Sequence, residues 1–316
     1  MKSRFVAAGA TRSPIEARYT IGEYDILILS AKESGALARW LVDHHYRIPD
    51  GAERVLDAYV KQGLKFFVAK VNLKEQLKLG FKALRPLQIA YESPRFMLPI
   101  RLGTVNADGP QELFVYAITR SGRVETTNYR SVPLPTGMSV PAYVKQQFPD
   151  FYRAMFAEQV RKQSMGVMFT EYAWDMSGCD PCASEPLSRS ELEQLGVFWM
   201  DSPSPYGTPP GSVFITSAPR ALRPRALPRG SGVPGHGDQA SFQGRYVIQH
   251  EWTGDSSCPQ AREYRAGLPA RRESEAQALA DLTGWPMDRI RGTMGLDTKW
   301  SAPADRTKWW DRLWKR

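Results

Sequence analysis

The apolar positions change period twice within the first seventy residues. Tyr24–Leu29 reads as a strand, and Ala31–Tyr46 then repeats Leu37, Trp40, Leu41 and His44 at helical spacing. Ser30 and Glu33 have the spacing of a capping box at the start of that helix. Trp40 shares a face with Leu37 and Leu41, so it is expected to be largely buried. Asp50 and Glu53 repeat the capping spacing ahead of a second helix whose inner face is Ala52, Val55, Leu56, Tyr59 and Val60, with Gly63 as its stop. From Leu64 the period becomes that of a strand, and Leu64–Leu73 carries apolar residues on both faces, as a central strand does.

Further strands are expected at Pro86–Glu92, Phe96–Val105 and Glu112–Thr119, joined by short turns. Short turns bring antiparallel pairing, since parallel strands need long crossovers. A helix follows over about Pro149–Gln163, facing inward with Phe151, Met155, Phe156 and Val160. Gly166–Trp174, Val213–Thr216 and Arg245–Trp252 read as strands, Ser190–Gly196 and Leu268–Asp281 as helices, with Gly284 as the last helix's stop. The expected class is α+β: a mostly antiparallel sheet with helices packed on one face. The expected layout is a loose segment over 1–20, a single domain over 21–302, and a basic, Trp-rich tail over 303–316.

Composition alters this picture little. A chain of 316 residues with 42% hydrophobic and 24% charged residues can bury a full core. No apolar run reaches the length that spans a bilayer, and Phe5–Ala8 is too short for the core of a signal peptide. Net charge is +9 and the isoelectric point about 9.4. Basic residues nevertheless alternate with acids along most of the chain, which argues against nucleic acid as a partner. The tail, with Trp309, Trp310 and Trp314 among Lys308, Arg312, Lys315 and Arg316, could lie on a membrane surface but not cross it.

The sharpest chemical motif is Cys179-Asp180-Pro181-Cys182. Such a pair is a structural disulfide or inert thiols, a redox couple, or half of a zinc site. A redox dithiol should open a helix after a parallel strand, and a zinc site needs two further ligands. Only Cys258 and His250 stand as distant candidates, so no metal site and no cofactor are assigned. His44 and His45 end the first helix, one as its C-terminal cap and one at the core edge. Glu171 lies within an aromatic strand, either as a buried, hydrogen-bonded structural acid or facing solvent; with His250 it is a candidate functional residue, and catalysis by it would need a partner the sequence does not name. No nucleophile elbow, Walker loop or dinucleotide fingerprint occurs. Whether the chain is an enzyme stays open at this level.

The ordered strings WLVDHHYRIPD, FFVAKVNL, PLQIAYESPRFMLPIRLG, FTEYAW, the Cys-Asp-Pro-Cys-Ala loop, FQGRYVIQHEWTGDSSCP and LPARRESEAQALADLTGW resemble one bacterial family, the domain of unknown function numbered 2330. The resemblance implies an extracytoplasmic protein. It also implies an upstream signal peptide, a cysteine-containing segment and a β-rich region, so the chain is expected to be truncated at its N-terminus. A strand edge or apolar face should then be bare on Tyr24–Leu29 or Leu64–Leu73. In an oxidising compartment the third cysteine would want a partner: Cys179–Cys182, a bond from Cys258 to either, or one to the upstream segment. The stretch Ser217–Gly237, with four arginines, departs from the family's acidic strand. A family-like codon string read two bases later spells Pro228–His236, so an irregular, exposed insert is expected over 217–237. The expected function is that of a non-catalytic binding or structural protein of the cell envelope, possible partners being other envelope proteins. The alternative is a redox or metal-dependent protein centred on Cys179 and Cys182.

Overall fold

In the computed structural model, the described residues are 15–80, 83–93, 97–120, 122–163, 165–176, 185–200, 213–222, 231–232 and 240–296. They mix helices with mainly antiparallel strands, which is the α+β class. The chain divides into two compact units, 1–131 with 173–241, and 132–172 with 242–316.

The first unit begins with a hairpin. β1 (Ile15–Ile21) and β2 (Tyr24–Leu29) pair antiparallel around Gly22, which holds φ +56° as the first of two turn residues. Residues 15–20, expected to be loose, are therefore a strand. Their alternation is half exposed, a weak periodic signal that pairing with β2 overrides. α1 (Ser34–Asp43) and α2 (Ala52–Val60) follow, then β3 (Phe66–Val71), which pairs antiparallel with β2. The sheet order β1-β2-β3 makes β2 the centre and leaves β3 at an edge, with no second partner among the described residues. Leu64–Leu73 was expected to be central; its second apolar face instead leaves Phe67 exposed. Leu29, Leu37, Val55, Leu56, Tyr59, Val60 and Phe66 form the core between sheet and helices. All five inner-face residues expected of α2 are buried.

The two capping boxes do not form. Glu33 and Gly51 occupy the N-cap positions, and neither helix start has a side-chain cap. Trp40 is half-buried at the margin of the core, stacked on His44 at 3.8 Å. His44 is the C-cap of α1, its Nδ1 donating to Trp40 O at 2.8 Å, whereas His45 is exposed at φ +64°.

α3 (Leu73–Lys78) is capped by Asn72, and an extended segment without ladder bonds then covers Leu84–Ser93. The strand expected at Pro86–Glu92 is absent because no neighbouring strand meets it. Phe96–Val105 is not one strand either: β4 (Met97–Leu98) turns at Pro99, which has no ladder donor, into α4 (Arg101–Val105). β5 (Gln111–Thr119) is a full strand, as expected.

β6 (Arg130–Pro133) carries the chain into the second unit, where β7 (Met138–Ser139) and a 3₁₀ turn precede α5 (Phe148–Lys162). Phe151, Met155 and Phe156 are buried along α5 together with Gln159, while Val160 is half-buried. β8 (Val167–Thr170) and β9 (Tyr172–Asp175) split the predicted Gly166–Trp174 strand at Glu171. Back in the first unit, α6 (Arg189–Gln194) does carry a capping box, Ser188 with Glu191.

β10 (Phe214–Leu222) then pairs antiparallel with β5 over nine residues, Phe214 opposite Thr119 through Leu222 opposite Gln111. This overturns the expected irregular insert for residues 217–222. Ser217, Arg220, Ala221 and Leu222 are buried. The apolar run from Val213 simply continues through Ala218, and one proline and one arginine do not break a strand that β5 pairs along its whole length. β11 (Ser231–Gly232) pairs with β4; 223–230 and 233–239 lie outside the described residues.

In the second unit, β12 (Phe242–Gln243) and β13 (Tyr246–Val247) are short, and β13 runs parallel to β7. The strand expected over Arg245–Trp252 stops at Val247. α7 (Pro259–Thr283) begins nine residues before the predicted Leu268 and ends at Gly284, which is left-handed at φ +70°. Pro259 at its first position needs no N–H, so it starts the helix, while Pro269 sits inside it. α8 (Met287–Thr293) follows. Leu279, Leu282 and Ile290 are buried, and Gln159 Nε2 donates to Leu282 O at 3.4 Å, tying α5 to α7. The tail over 303–316 lies outside the described residues.

Candidate binding surface

The residues nominated by sequence fall in separate places. Cys179 and Cys182 lie outside the described residues. Cys258 is the N-cap of α7, exposed and unbonded, so of the pairings left open by the sequence the one from Cys258 to either of the others is not made. The Ser256 hydroxyl beside its thiol, with backbone N–H groups of the first turn, holds the thiol below the usual range. His250 is exposed on the segment leading toward α7. Among the described residues no three histidine, cysteine or carboxylate side chains gather as a metal site would require.

Glu171 is a structural acid. It occupies the break between β8 and β9, half-buried, and Tyr152 of α5 donates to its Oε1 at 2.7 Å. Its backbone carbonyl accepts from Gly244 N–H at 2.8 Å. Tyr246 lies beside it, edge-on to Phe151 at 4.8 Å, and burial followed by the Glu171 charge pushes its phenol well above the ordinary value. Among the described residues the Tyr246 hydroxyl has no hydrogen-bond partner, so the Tyr152–Glu171 bond is the polar link on this side of the aromatic core.

A different surface converges around the first half of α7. Gln260, Glu263, Tyr264, Gly267, Leu268 and Arg271 recur at helical spacing and line an open groove of about 390 Å³. Gly267 forms a gap in the row of side chains. The preceding segment folds back onto the helix: Trp252 N–H donates to the Tyr264 hydroxyl at 2.9 Å, and the two rings meet edge to face at 6.1 Å. Arg265 stands 5.4 Å over the Trp252 ring while its Nη2 donates to Gly254 O and Ser256 O. Arg272 grips Glu251 with Nε and Nη2 at 2.6 and 2.5 Å, holding that carboxyl below its usual range. Arg271 lies 3.4 Å from Glu275, whose carboxyl burial pushes up.

None of Trp252, Tyr264, Arg265, Arg271 or Arg272 was nominated from sequence. Starting the helix at Leu268 hid its first half. The signal that could have found it is Cys258-Pro259, a proline placed where a helix tolerates it, followed by Gln260, Tyr264 and Leu268 at one-turn spacing.

Residues 2–228 match the family described as uncharacterized protein conserved in bacteria, DUF2330. The chain belongs to the DUF2330 family. The match covers the whole stretch from β1 through β10 and stops at Pro228, so the α7 surface lies beyond it. No curated protein and no solved structure matches the DUF2330 chain.

Proposed function

We propose that this DUF2330 chain is a non-catalytic binding domain of the bacterial cell envelope, acting outside the cytoplasm, and that the first half of α7 grips another envelope protein. The observation that carries the reading is the open groove on α7, with Tyr264 and Arg271 in its wall and Trp252 and Arg265 beside it. Tryptophan, tyrosine and arginine supply most of the energy at protein interfaces, because they bury large areas at low entropic cost. Here their mutual contacts fix them before a partner arrives, which lowers the ordering cost of binding. A net charge of +9 and exposed Arg262 and Arg265 favour a partner with acidic groups flanking an apolar side chain. The extracytoplasmic setting rests on the family resemblance.

The test places a photo-crosslinking residue at Gly267 in cells that export the full-length protein. One discrete adduct with an acidic envelope protein, lost on Tyr264→Ala or Trp252→Ala with the fold intact by circular dichroism, supports the reading. No adduct, or an adduct indifferent to both substitutions, overturns it.

The second reading, a redox protein built on Cys179 and Cys182, draws on one described residue: Cys258 is exposed, unpaired and shifted toward thiolate. Mass-spectrometric mapping separates the two. A Cys179–Cys182 bond that opens with a dithiol reductant and re-forms with an added disulfide oxidant favours redox chemistry; three inert thiols remove it.

A further inference from the structure

In the first unit, β10 presents Thr216, Ala218 and Arg220 on one face by strand alternation. The segment following β5 covers that face. Val124 N–H donates to Thr216 Oγ1 at 3.2 Å, and the Tyr129 ring lies 3.2 Å from the Arg220 guanidinium carbon. Arg220 retains only 6% of its surface, and its Nε and Nη1 have neither a hydrogen-bond partner nor solvent. Among the described residues no carboxylate pairs with it. Glu125, the acid of the covering segment, is engaged by Arg123 at 3.1 Å.

Buried donors are almost always satisfied, and a buried cation without a counter-charge is costly. Stacking on Tyr129 compensates the flat face of the guanidinium, but it does nothing for the N–H groups, which point along its edge. At the end of the guanidinium an Nη1 N–H lies parallel to one on Nη2, the fork geometry that fits a carboxylate, phosphate or sulfate oxygen pair, while the Nε–H bond diverges from Nη1. Burial also lowers the guanidinium's affinity for its proton, as expected of a charge that lacks a counter-ion.

We infer that Arg220 anchors an oxyanion-binding site on the β10 face roofed by Tyr129, with the incoming oxyanion seated against the edge of the guanidinium. The inference is independent of the α7 surface, which belongs to the other unit. A free anion and a carboxylate carried on a larger ligand share this chemistry, and the choice of titrant distinguishes them.

The experiment is thermal unfolding of the full chain in HEPES at constant ionic strength, with sodium chloride replaced stepwise by phosphate, sulfate or acetate. A saturable rise in midpoint with phosphate or sulfate is expected, and Arg220→Met should weaken the response by at least about tenfold, since the charge-assisted bonds are gone. A rise with acetate as well points to a carboxylate ligand; a rise with phosphate and sulfate alone points to a tetrahedral anion. A wild-type midpoint that does not respond overturns the inference, as does an unchanged response in Arg220→Met. In case that variant folds poorly, the Nε–H resonance of Arg220 in arginine-labelled wild-type protein, assigned through Arg220→Lys, gives a second readout. It should move on phosphate addition, and a stationary resonance likewise overturns the site.

Discussion

Replacing Arg220 by methionine should make the protein more stable, a result opposite to that expected for most buried positions. The side chain keeps 6% of its surface, and two of its nitrogens have no partner. Taking an ion out of water costs several kcal/mol even after the protein relaxes, with no counter-charge here to repay it. The Tyr129 ring at 3.2 Å returns about 2 kcal/mol through cation–π attraction. Methionine is unbranched like the arginine stem, two atoms shorter, and needs no hydrogen bond, so it follows the apolar part of the same path. The balance is a gain of about 1–3 kcal/mol for Arg220→Met in buffer free of multivalent anions. Urea unfolding followed by far-ultraviolet circular dichroism would measure it as a higher midpoint at unchanged slope. Tyr129→Leu should cost more in wild type than in Arg220→Met, because only the former loses a cation–ring contact, and the coupling should exceed about 0.5 kcal/mol. Destabilisation of Arg220→Met by more than about 1 kcal/mol, or strict additivity with Tyr129→Leu, would refute the reasoning.

Three other outcomes can be checked on the same protein. Glu23, 1% exposed, accepts from Arg85 Nε, Nη2 and backbone N–H, which hold its carboxyl at about 2. Because the folded value lies below an unfolded carboxyl's roughly 4.3, its stabilisation is complete above that value and lost as pH falls toward 2. Urea midpoints across the acid range should fall less steeply in Glu23→Gln than in wild type; parallel curves would sink the assignment. Cys258 should react with iodoacetamide at neutral pH faster than free cysteine, and Ser256→Ala should slow it; equal rates would show that the hydroxyl does not hold the thiolate. Phe151, fully buried against Tyr246, should cost about 3–5 kcal/mol on truncation to alanine, and a loss below about 1 kcal/mol would mean the α5 face is not core.

What the sequence made legible follows the strength of its periodicity. The inner face of α2, the long strand β5, the α5 helix and the glycine stop of α7 all rest on local signals that packing reinforces. Ladder partners are another matter. Pro86–Glu92 has strand residues but meets no strand, while Ile15–Ile21, whose alternation is indistinct, is held by β2. Strand propensity describes a side chain's fit to a pleated surface, and pairing is a non-local event that alternation does not report. Capping boxes misled for a related reason: Ser188 with Glu191 forms one, while Ser30 with Glu33 has the same spacing ahead of a helix that begins too late to use it. Of the site residues, Glu171 was legible only as an acid that is either hydrogen-bonded or solvent-facing, and the Tyr152 hydroxyl bonds it. Arg220 is hidden because proline and arginine content reads as irregular chain, whereas partners on both sides of β10 decide the outcome.

The arginines divide into two physical kinds, and that division matters more than the net charge. On α7, Arg272 has Glu251, Arg265 has two carbonyls and Arg271 has Glu275, so each charge is answered within its own unit. Their hold on an acidic partner depends on long-range attraction at a wet surface, which salt screens over roughly 8 Å at physiological ionic strength. Arg220 is buried, where screening is weak, and its unanswered charge is a matter of contact at the guanidinium edge. Sodium chloride should therefore weaken binding at the α7 surface while leaving the phosphate concentration that half-saturates the Arg220 response nearly unchanged. If both effects faded together with salt, Arg220 would be acting as one more exposed charge, and its burial would carry no functional meaning.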